Sequence, residues 1–340
     1  MRLLLHVPLA RGSTRGNWIT ALRWTKILSD LGHTVRTVDP SEYASVVHKS
    51  YDALIALHAR RSADAIELFR IAAPRSQVIV ALTGTDLHID LTGHGADYRS
   101  VTKSLAVADH IVLLEPEGLK QLEPSLRSKC VVIYQSTEIP KLSRQSHAAC
   151  FKISLLAHLR AVKDPFLIIR AVELLPSSSK ATVIHAGEAT SPEWRNEAVR
   201  WTQRCPRYEW VGALPHLNAM QLLANSHVTV LTSRHEGAPS VFSEAARQGI
   251  PMLSTRIPAS VGILGPSHPG LFEIDDALDL AKLIDKAETN KKFYHELCGA
   301  SAALEHRLSP QAEQNAWNAL VNRVARGQEP TSLRSGKPPA

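Results

Sequence analysis

Short apolar runs alternate with helix-patterned segments along most of this chain, and that alternation admits few folds. A strand covered on both faces reads as a continuous apolar run, and a helix between two such strands makes them parallel. Leu3 to Val7 is the first run. A glycine-bearing loop from Ala10 to Gly16 follows. Asn17 then reads as the cap of a helix with Trp18, Ala21, Leu22, Leu28 and Leu31 at helical spacing, closed by Gly32. His33 to Val38, Tyr51 to Leu57, Gln77 to Leu82, His110 to Leu114 and Val131 to Tyr134 continue the series. The polar stretch Gln135 to Ala149, with one proline, reads as an interdomain linker. A second series comprises Phe151 to Leu156, Ala181 to His185, Val228 to Leu231 and Pro251 to Ser254, the last after a helix from Pro239 to Gln248. The pattern predicts an α/β fold of two doubly wound, Rossmann-like domains, and 340 residues suffice for two cores. In such sheets ligands gather at the carboxyl ends of the strands, so the natural site is a central cleft that both domains face.

The expected division is an N-terminal domain over 1–140, a C-terminal domain over 150–305, a last helix over 308–326 and a disordered tail over 327–340. A net charge of +7 favours anionic ligands. Nucleic acid is a poor fit, because the arginines are scattered and the six Tyr and six Phe are not interleaved with them. The start, Met1 to Pro8, is too short an apolar run for a signal peptide and is broken by His6 and Pro8. No stretch is long enough to span a bilayer, so the expectation is a cytoplasmic protein without stable membrane association. Cys130, Cys150, Cys205 and Cys298 lie far apart, which argues against a disulfide framework or a metal site.

The most informative stretch runs from Leu231 to Thr255, L-T-S-R-H-E-G-A-P-S-V-F-S-E-A-A-R-Q-G-I-P-M-L-S-T. Gly237 permits a turn after a strand, and Pro239 suits a helix start. The backbone N–H groups of Ala238, Ser240 and Val241 then face the loop, as an anion-binding helix end requires. Glu236 lies in the loop and Glu244 one to two turns into the helix, within reach of a ribose or sugar diol. Phe151 to Pro165 is an apolar strand followed by a loop with Arg160 and Lys163, two cations suited to a diphosphate and to the charge on a departing nucleotide.

In the first half, Arg11-Gly12-Ser13-Thr14-Arg15-Gly16-Asn17 opens a helix. Val80 to His88 ends a strand in a small-residue turn holding Thr83, Thr85 and Asp86. Asp86 reads equally as a ligand for a sugar hydroxyl and as a helix N-cap. His58, Arg60 and Arg61 follow another strand. His58 is either near the cleft or a satisfied, partly buried histidine, and the arginines are either a dianion site or ordinary surface charge.

The E-G-x-P turn, the helix with its second Glu and the G-I-P exit together resemble the donor motif of retaining GT-B glycosyltransferases of family 4. The resemblance implies that Glu236 contacts the donor sugar, that Glu244 holds the ribose, and that Arg160 and Lys163 bind the diphosphate. It places Val211, Gly212 and Leu214, in a strand, V-G and Leu-Pro stretch, near the base. It also implies a last helix that returns to the N-terminal domain, and no metal or other cofactor. More narrowly, G-N-W-I-T-A-L-R-W, A-L-H-A-R-R-S and A-L-T-G-T-D-L together are similar to selenosugar synthases of selenoneine biosynthesis. That implies a UDP-sugar donor, UDP-N-acetylglucosamine foremost, and selenophosphate as acceptor, with functional coupling to an enzyme that makes selenophosphate. Arg11, Arg15, Arg60 and Arg61 would hold the dianion, with Gly16, Asn17, His58, Thr83, Thr85 and Asp86 around it. Relatives that glycosylate small acids carry H-G-T-D where this chain has Thr83.

Other readings stay open at this point. A glycosyltransferase of the same fold could take a thiol precursor, hydroxy acid or polyol. A nicotinamide oxidoreductase would use the first loop and Asp39 at the end of the second strand, although the loop lacks G-x-G-x-x-G spacing. A sugar-nucleotide sensor would bind a donor without turnover.

Overall fold

The computed structural model describes residues 1–12, 16–144 and 150–327. Arg15 and the proposed tail from 328 on lie outside them. The chain divides into two compact units. One takes Met1–Gln135 together with the chain from Gln311 on, and the other is Ser136–Pro310.

The first unit contains β1 (Arg2–His6), β2 (Thr34–Val38), β3 (Ala53–Leu57), β4 (Gln77–Leu82), β5 (His110–Leu113) and β6 (Cys130–Val132). They pair all-parallel in the order β2-β1-β3-β4-β5-β6. The central strands β3 and β5 are buried at every position, as a sheet covered on both faces requires. The helix Gly16–Asp30 follows β1 and buries Trp18, Ala21, Trp24, Ile27 and Leu28. It begins at Gly16, so Asn17 lies inside its first turn and is not its cap. At its other end the His33 N–H reaches the Leu28 carbonyl at 3.1 Å and the Gly32 N–H reaches Ser29 at 2.9 Å, a Schellman closure.

The second unit contains β7 (Phe151–Leu156), β8 (Ala181–Ala186), β9 (Tyr208–Trp210), β10 (Val228–Leu231), β11 (Met252–Thr255) and β12 (Leu271–Phe272). Their order is β12-β11-β10-β7-β8-β9, again all parallel. The core packs Ile153, Leu155, Ile169, Val183, Val228 and Leu253 with the helix residues Leu280 and Ile284.

The expected linker is fastened to this second unit. The Gln248 side chain accepts from the Leu142 N–H at 2.9 Å and donates to the Pro140 carbonyl at 3.0 Å. Arg247 reaches the Ile139 carbonyl at 3.3 Å. These bonds are why the division falls after Gln135 and not at 140. Residues 145–149 of the linker lie outside the described residues.

The helix Pro310–Ala325 lies almost wholly in the first unit. Its Glu313 is 1% exposed and accepts from Trp24 Nε1 at 2.8 Å and from Arg23 Nε at 3.0 Å. Trp317 packs edge-on against Trp24 with ring centroids 4.7 Å apart.

Each sheet has a point where strand order reverses, between β1 and β3 in the first and between β7 and β10 in the second. Loops that leave the carboxyl ends of such neighbours diverge and open a crevice for ligand.

Candidate functional site in the second unit

The loop after β7 and the loop after β10 flank that reversal point, and several bonds stitch them together. Thr232 Oγ1 donates to the Lys163 carbonyl at 2.8 Å. The Arg234 N–H donates to the Val162 carbonyl at 2.8 Å. Thr255 Oγ1 donates to the Ser233 carbonyl at 2.6 Å, tying the loop to β11. The stitching brings Lys163 Nζ into an ion pair with Glu236 Oε1, which also accepts from Ser233 Oγ at 2.6 Å. Both paired side chains are only 15% and 12% exposed, so the contact is screened less than a surface pair.

From Glu236 the chain passes through Gly237, Ala238 and Pro239 into the helix Ser240–Gln248. Gly237 is not left-handed, so the turn is made without that freedom. Among the described residues, the N–H groups of Ala238, Ser240 and Val241 have no hydrogen-bond acceptor. They form the positive end of a nine-residue helix that follows the paired Glu236 in sequence, an arrangement chemically suited to an anion. The helix ends at Gly249, whose φ of 68° only glycine adopts cheaply. Glu244, 8% exposed, faces His216 with Oε1 3.5 Å from Nε2. The carboxylate beside it raises the His216 pKa.

Arg160 is exposed, and its guanidinium has no ion-pair partner among the described residues. Val211 is exposed, Leu214 is half-buried, and Gly212, with φ 74°, accepts from the Gly187 N–H at 2.8 Å. Gly187 is a residue that the sequence reading missed. A Cβ there would lie 1.8 Å from the Ala157 carbonyl oxygen and 2.9 Å from the His158 nitrogen, both backbone atoms that cannot swing aside. The absent side chain lets the β8 end seat the loop that carries Arg160 and Lys163. Gly187 stands in the H-A-G-E run at the end of β8, where nothing in the local sequence marks the close approach. Gly187→Ala is expected to lower stability by about 1–3 kcal/mol through overpacking, read as a lower urea midpoint. An unchanged midpoint would mean that the loop yields freely.

Candidate acceptor residues in the first unit

Here Asp86 is fully buried and saturated. It accepts from the N–H groups of Ala59, Thr83 and Gly84, each at 2.9 Å. Gly84, not Asp86, stands at the cap of the short helix Thr85–His88. Asp86 therefore pins the turns after β3 and β4 to one another, and its carboxylate is turned away from solvent.

What those turns display is the hydroxyls of Thr83 and Thr85, with the His58 imidazole buried behind them. His58 is 2% exposed and left-handed with φ 69°, and its Nε2 lies 2.9 Å from Thr85 Oγ1. Burial lowers its pKa, against the pull of Asp86. In the neutral tautomer that carries its proton on Nε2, His58 donates to Thr85 Oγ1 and leaves the Thr85 hydroxyl proton available to a further acceptor. Asn17 Nδ2 donates to Thr83 Oγ1 at 3.3 Å, which joins the first helix to the β4 turn.

The cations divide. Arg60 is committed to Asp90 at 2.8 Å and Asp97 at 2.7 Å, and Arg11 to Glu42 at 2.8 Å. Arg61 is exposed and has no ion-pair partner among the described residues. Gly16 is exposed at the helix start. Asp39 caps the helix Pro40–Val46, accepting from the Ser41 and Glu42 N–H groups, and also takes the Arg11 N–H at 3.1 Å. With those bonds made, it is poorly placed to serve a cofactor ribose.

Among the described residues, no group of three or more His, Cys, Asp or Glu is placed to hold a metal ion. No described helix is long and apolar enough to cross a membrane.

Residues 141–302 match the sequence profile of the family described as glycosyl transferases group 1. Over that span the chain is similar to group 1 glycosyl transferases. The span contains both stitched loops, Arg160, Lys163, Glu236 and Glu244. No curated protein matches the chain in sequence. Among solved structures, HepE of Anabaena in complex with UDP and glucose is 17% identical, with 95% of this chain and 99% of that one covered at a TM-score of 0.74. Sucrose-phosphate synthase from Thermosynechococcus elongatus is 14% identical over 96% of this chain and 100% of that one, at 0.75. A glycosyltransferase from Rickettsia africae is 13% identical over 96% and 99%, at 0.72. At such identities the likeness is one of fold, and the fold is GT-B, with the matched span lying in the second of two Rossmann-like units.

Proposed function

We propose that the chain transfers a sugar from a UDP-sugar, with UDP-N-acetylglucosamine the first candidate, to selenophosphate, as a selenosugar synthase of selenoneine biosynthesis. The observation that carries the donor half is the cluster at the helix 240–248: unpartnered N–H groups, the Lys163–Glu236 pair and Glu244 on one loop-and-helix element. HepE, which shares the fold, is solved with UDP and with UDP-glucose.

In this reading the diphosphate lies on the N–H groups of Ala238, Ser240 and Val241, with Arg160 and Lys163 neutralising the charge that develops as UDP departs. No metal is needed for that task. Glu236 takes donor-sugar hydroxyls and Glu244 the ribose. Selenium attacks the anomeric carbon, a carbon–selenium bond forms, and the bond from that carbon to the diphosphate oxygen breaks. Water then cleaves the selenium–phosphorus bond, releasing phosphate and leaving the selenosugar. Selenium is a strong nucleophile and needs little general-base help, which suits Thr83 where small-acid relatives have His. An enzyme that makes selenophosphate would work next to this one.

A second acceptor class is favoured by one observation. Arg11 and Arg60 already hold carboxylates, while Thr83, Thr85 and Asn17 offer neutral hydrogen-bonding groups. A hydroxylated acceptor, such as a polyol, hydroxy acid or thiol precursor, would fit such a surface.

Anaerobic incubation with UDP-N-acetylglucosamine, with and without selenophosphate, separates the two by mass spectrometry. UDP release together with a selenium isotope pattern on the sugar is expected. UDP release only with a hydroxyl or thiol acceptor would keep the glycosyltransferase and remove selenium. Glu244→Ala is expected to weaken UDP binding by about 1–3 kcal/mol in titration calorimetry, and unchanged affinity would remove the ribose assignment.

A further inference from the structure

Among the described residues, three non-glycine residues have positive φ: His58, Asp164 and Asp275. The last two hold the same arginine. Arg234 reaches Asp164 at 2.7 Å and Asp275 at 3.5 Å, and Asp275 in turn pairs with Arg170 at 2.6 Å. A left-handed residue with a side chain is costly, and glycine is the default where only the turn matters. Asp164 closes the short turn Ala161–Lys163 with φ 41°, a place where glycine would serve the backbone better. A carboxylate kept at each of two such positions, both turned to one guanidinium, points to a use for the charge.

Exposed ion pairs contribute little to stability on their own, and Arg234 is 43% exposed. Position gives this one its meaning. Asp164 directly follows Lys163, and Arg234 lies two residues before Glu236. The Arg234–Asp164 bond therefore closes the same junction as the Arg234 N–H to Val162 and Thr232 to Lys163 bonds. Asp275 extends the clasp to a third loop, beyond β12.

We propose that Arg234 is a positioning residue that, through Asp164 and Asp275, fixes the Lys163 ammonium for the donor diphosphate, an inference that rests on the donor reading above. It touches no substrate itself and acts by holding the Lys163 turn in one register.

The test is a double-mutant cycle on UDP affinity, by titration calorimetry of wild type, R234A, K163A and the double variant, each with its melting temperature. R234A is expected to weaken UDP binding about tenfold in the wild-type background and to add nothing once Lys163 is gone. D164G, which favours the same backbone but lacks the carboxylate, is expected to match R234A, and R234K to recover part of the loss. Should R234A not fold, D164G carries the same comparison. Unchanged UDP affinity in R234A and D164G, or losses that multiply independently of Lys163, would overturn the clasp while leaving the donor reading intact. Failure of the wild type to bind UDP would remove the donor reading and the clasp with it.

Discussion

Lys163→Ala is expected to lower kcat for UDP release by about a hundredfold or more, with a smaller change in acceptor KM. The ammonium is only 15% exposed and already paired with Glu236, so the site carries it at little cost in unpaired charge. In the proposed donor reading, a diphosphate bound at the N-terminus of the helix Ser240–Gln248 lets the ammonium pass from carboxylate to phosphate. Glu236 keeps the Ser233 hydroxyl, 2.6 Å away, and is left to accept from a sugar hydroxyl. The charge on a leaving diphosphate grows toward the transition state, so the missing cation should be felt more in turnover than in donor binding. A loss of less than about tenfold would place the leaving group away from Lys163.

Glu313→Ala is expected to destabilise the first unit by about 3–5 kcal/mol, the cost of stripping one partner from a buried ion pair. Arg23 Nε and Trp24 Nε1 would both lose their acceptor in a place closed to water, and the Trp24–Trp317 contact would lose its anchor. The check is the urea midpoint of the first unit, followed by tryptophan fluorescence. An unaltered midpoint would mean that apolar packing alone secures the helix Pro310–Ala325.

The strands were legible where a compact apolar run stood between polar turns: Phe151–Leu156 and Val228–Leu231 coincide with β7 and β10. β12 is two residues long and carries no periodicity to read. Asn17 has the composition of a cap, yet its amide goes to Thr83, 66 residues on, because the helix already begins at Gly16. The spacing of Glu236 and Glu244 could be read because it belongs to one turn and one helix. The ties that orient them could not, since Lys163 and Glu236 are 73 residues apart and Arg234 and Asp164 are 70 apart. Arg60 shows the same limit in the first unit. It reads as a free cation until the fold brings Asp90 and Asp97 to it. Gly187 was silent because close approach is a property of the neighbour, here the backbone at Ala157, and not of the glycine.

The anchoring of the helix Pro310–Ala325 also sets an order of events during synthesis. Trp24 and Glu313 are separated by 289 positions, and the whole of Ser136–Pro310 leaves the ribosome before Glu313 does. The later-made unit can therefore close its core while the earlier-made one still waits, with Arg23 and Trp24 lacking their carboxylate. Domains usually mature in the order they are made, and this chain is wired to finish its first domain last.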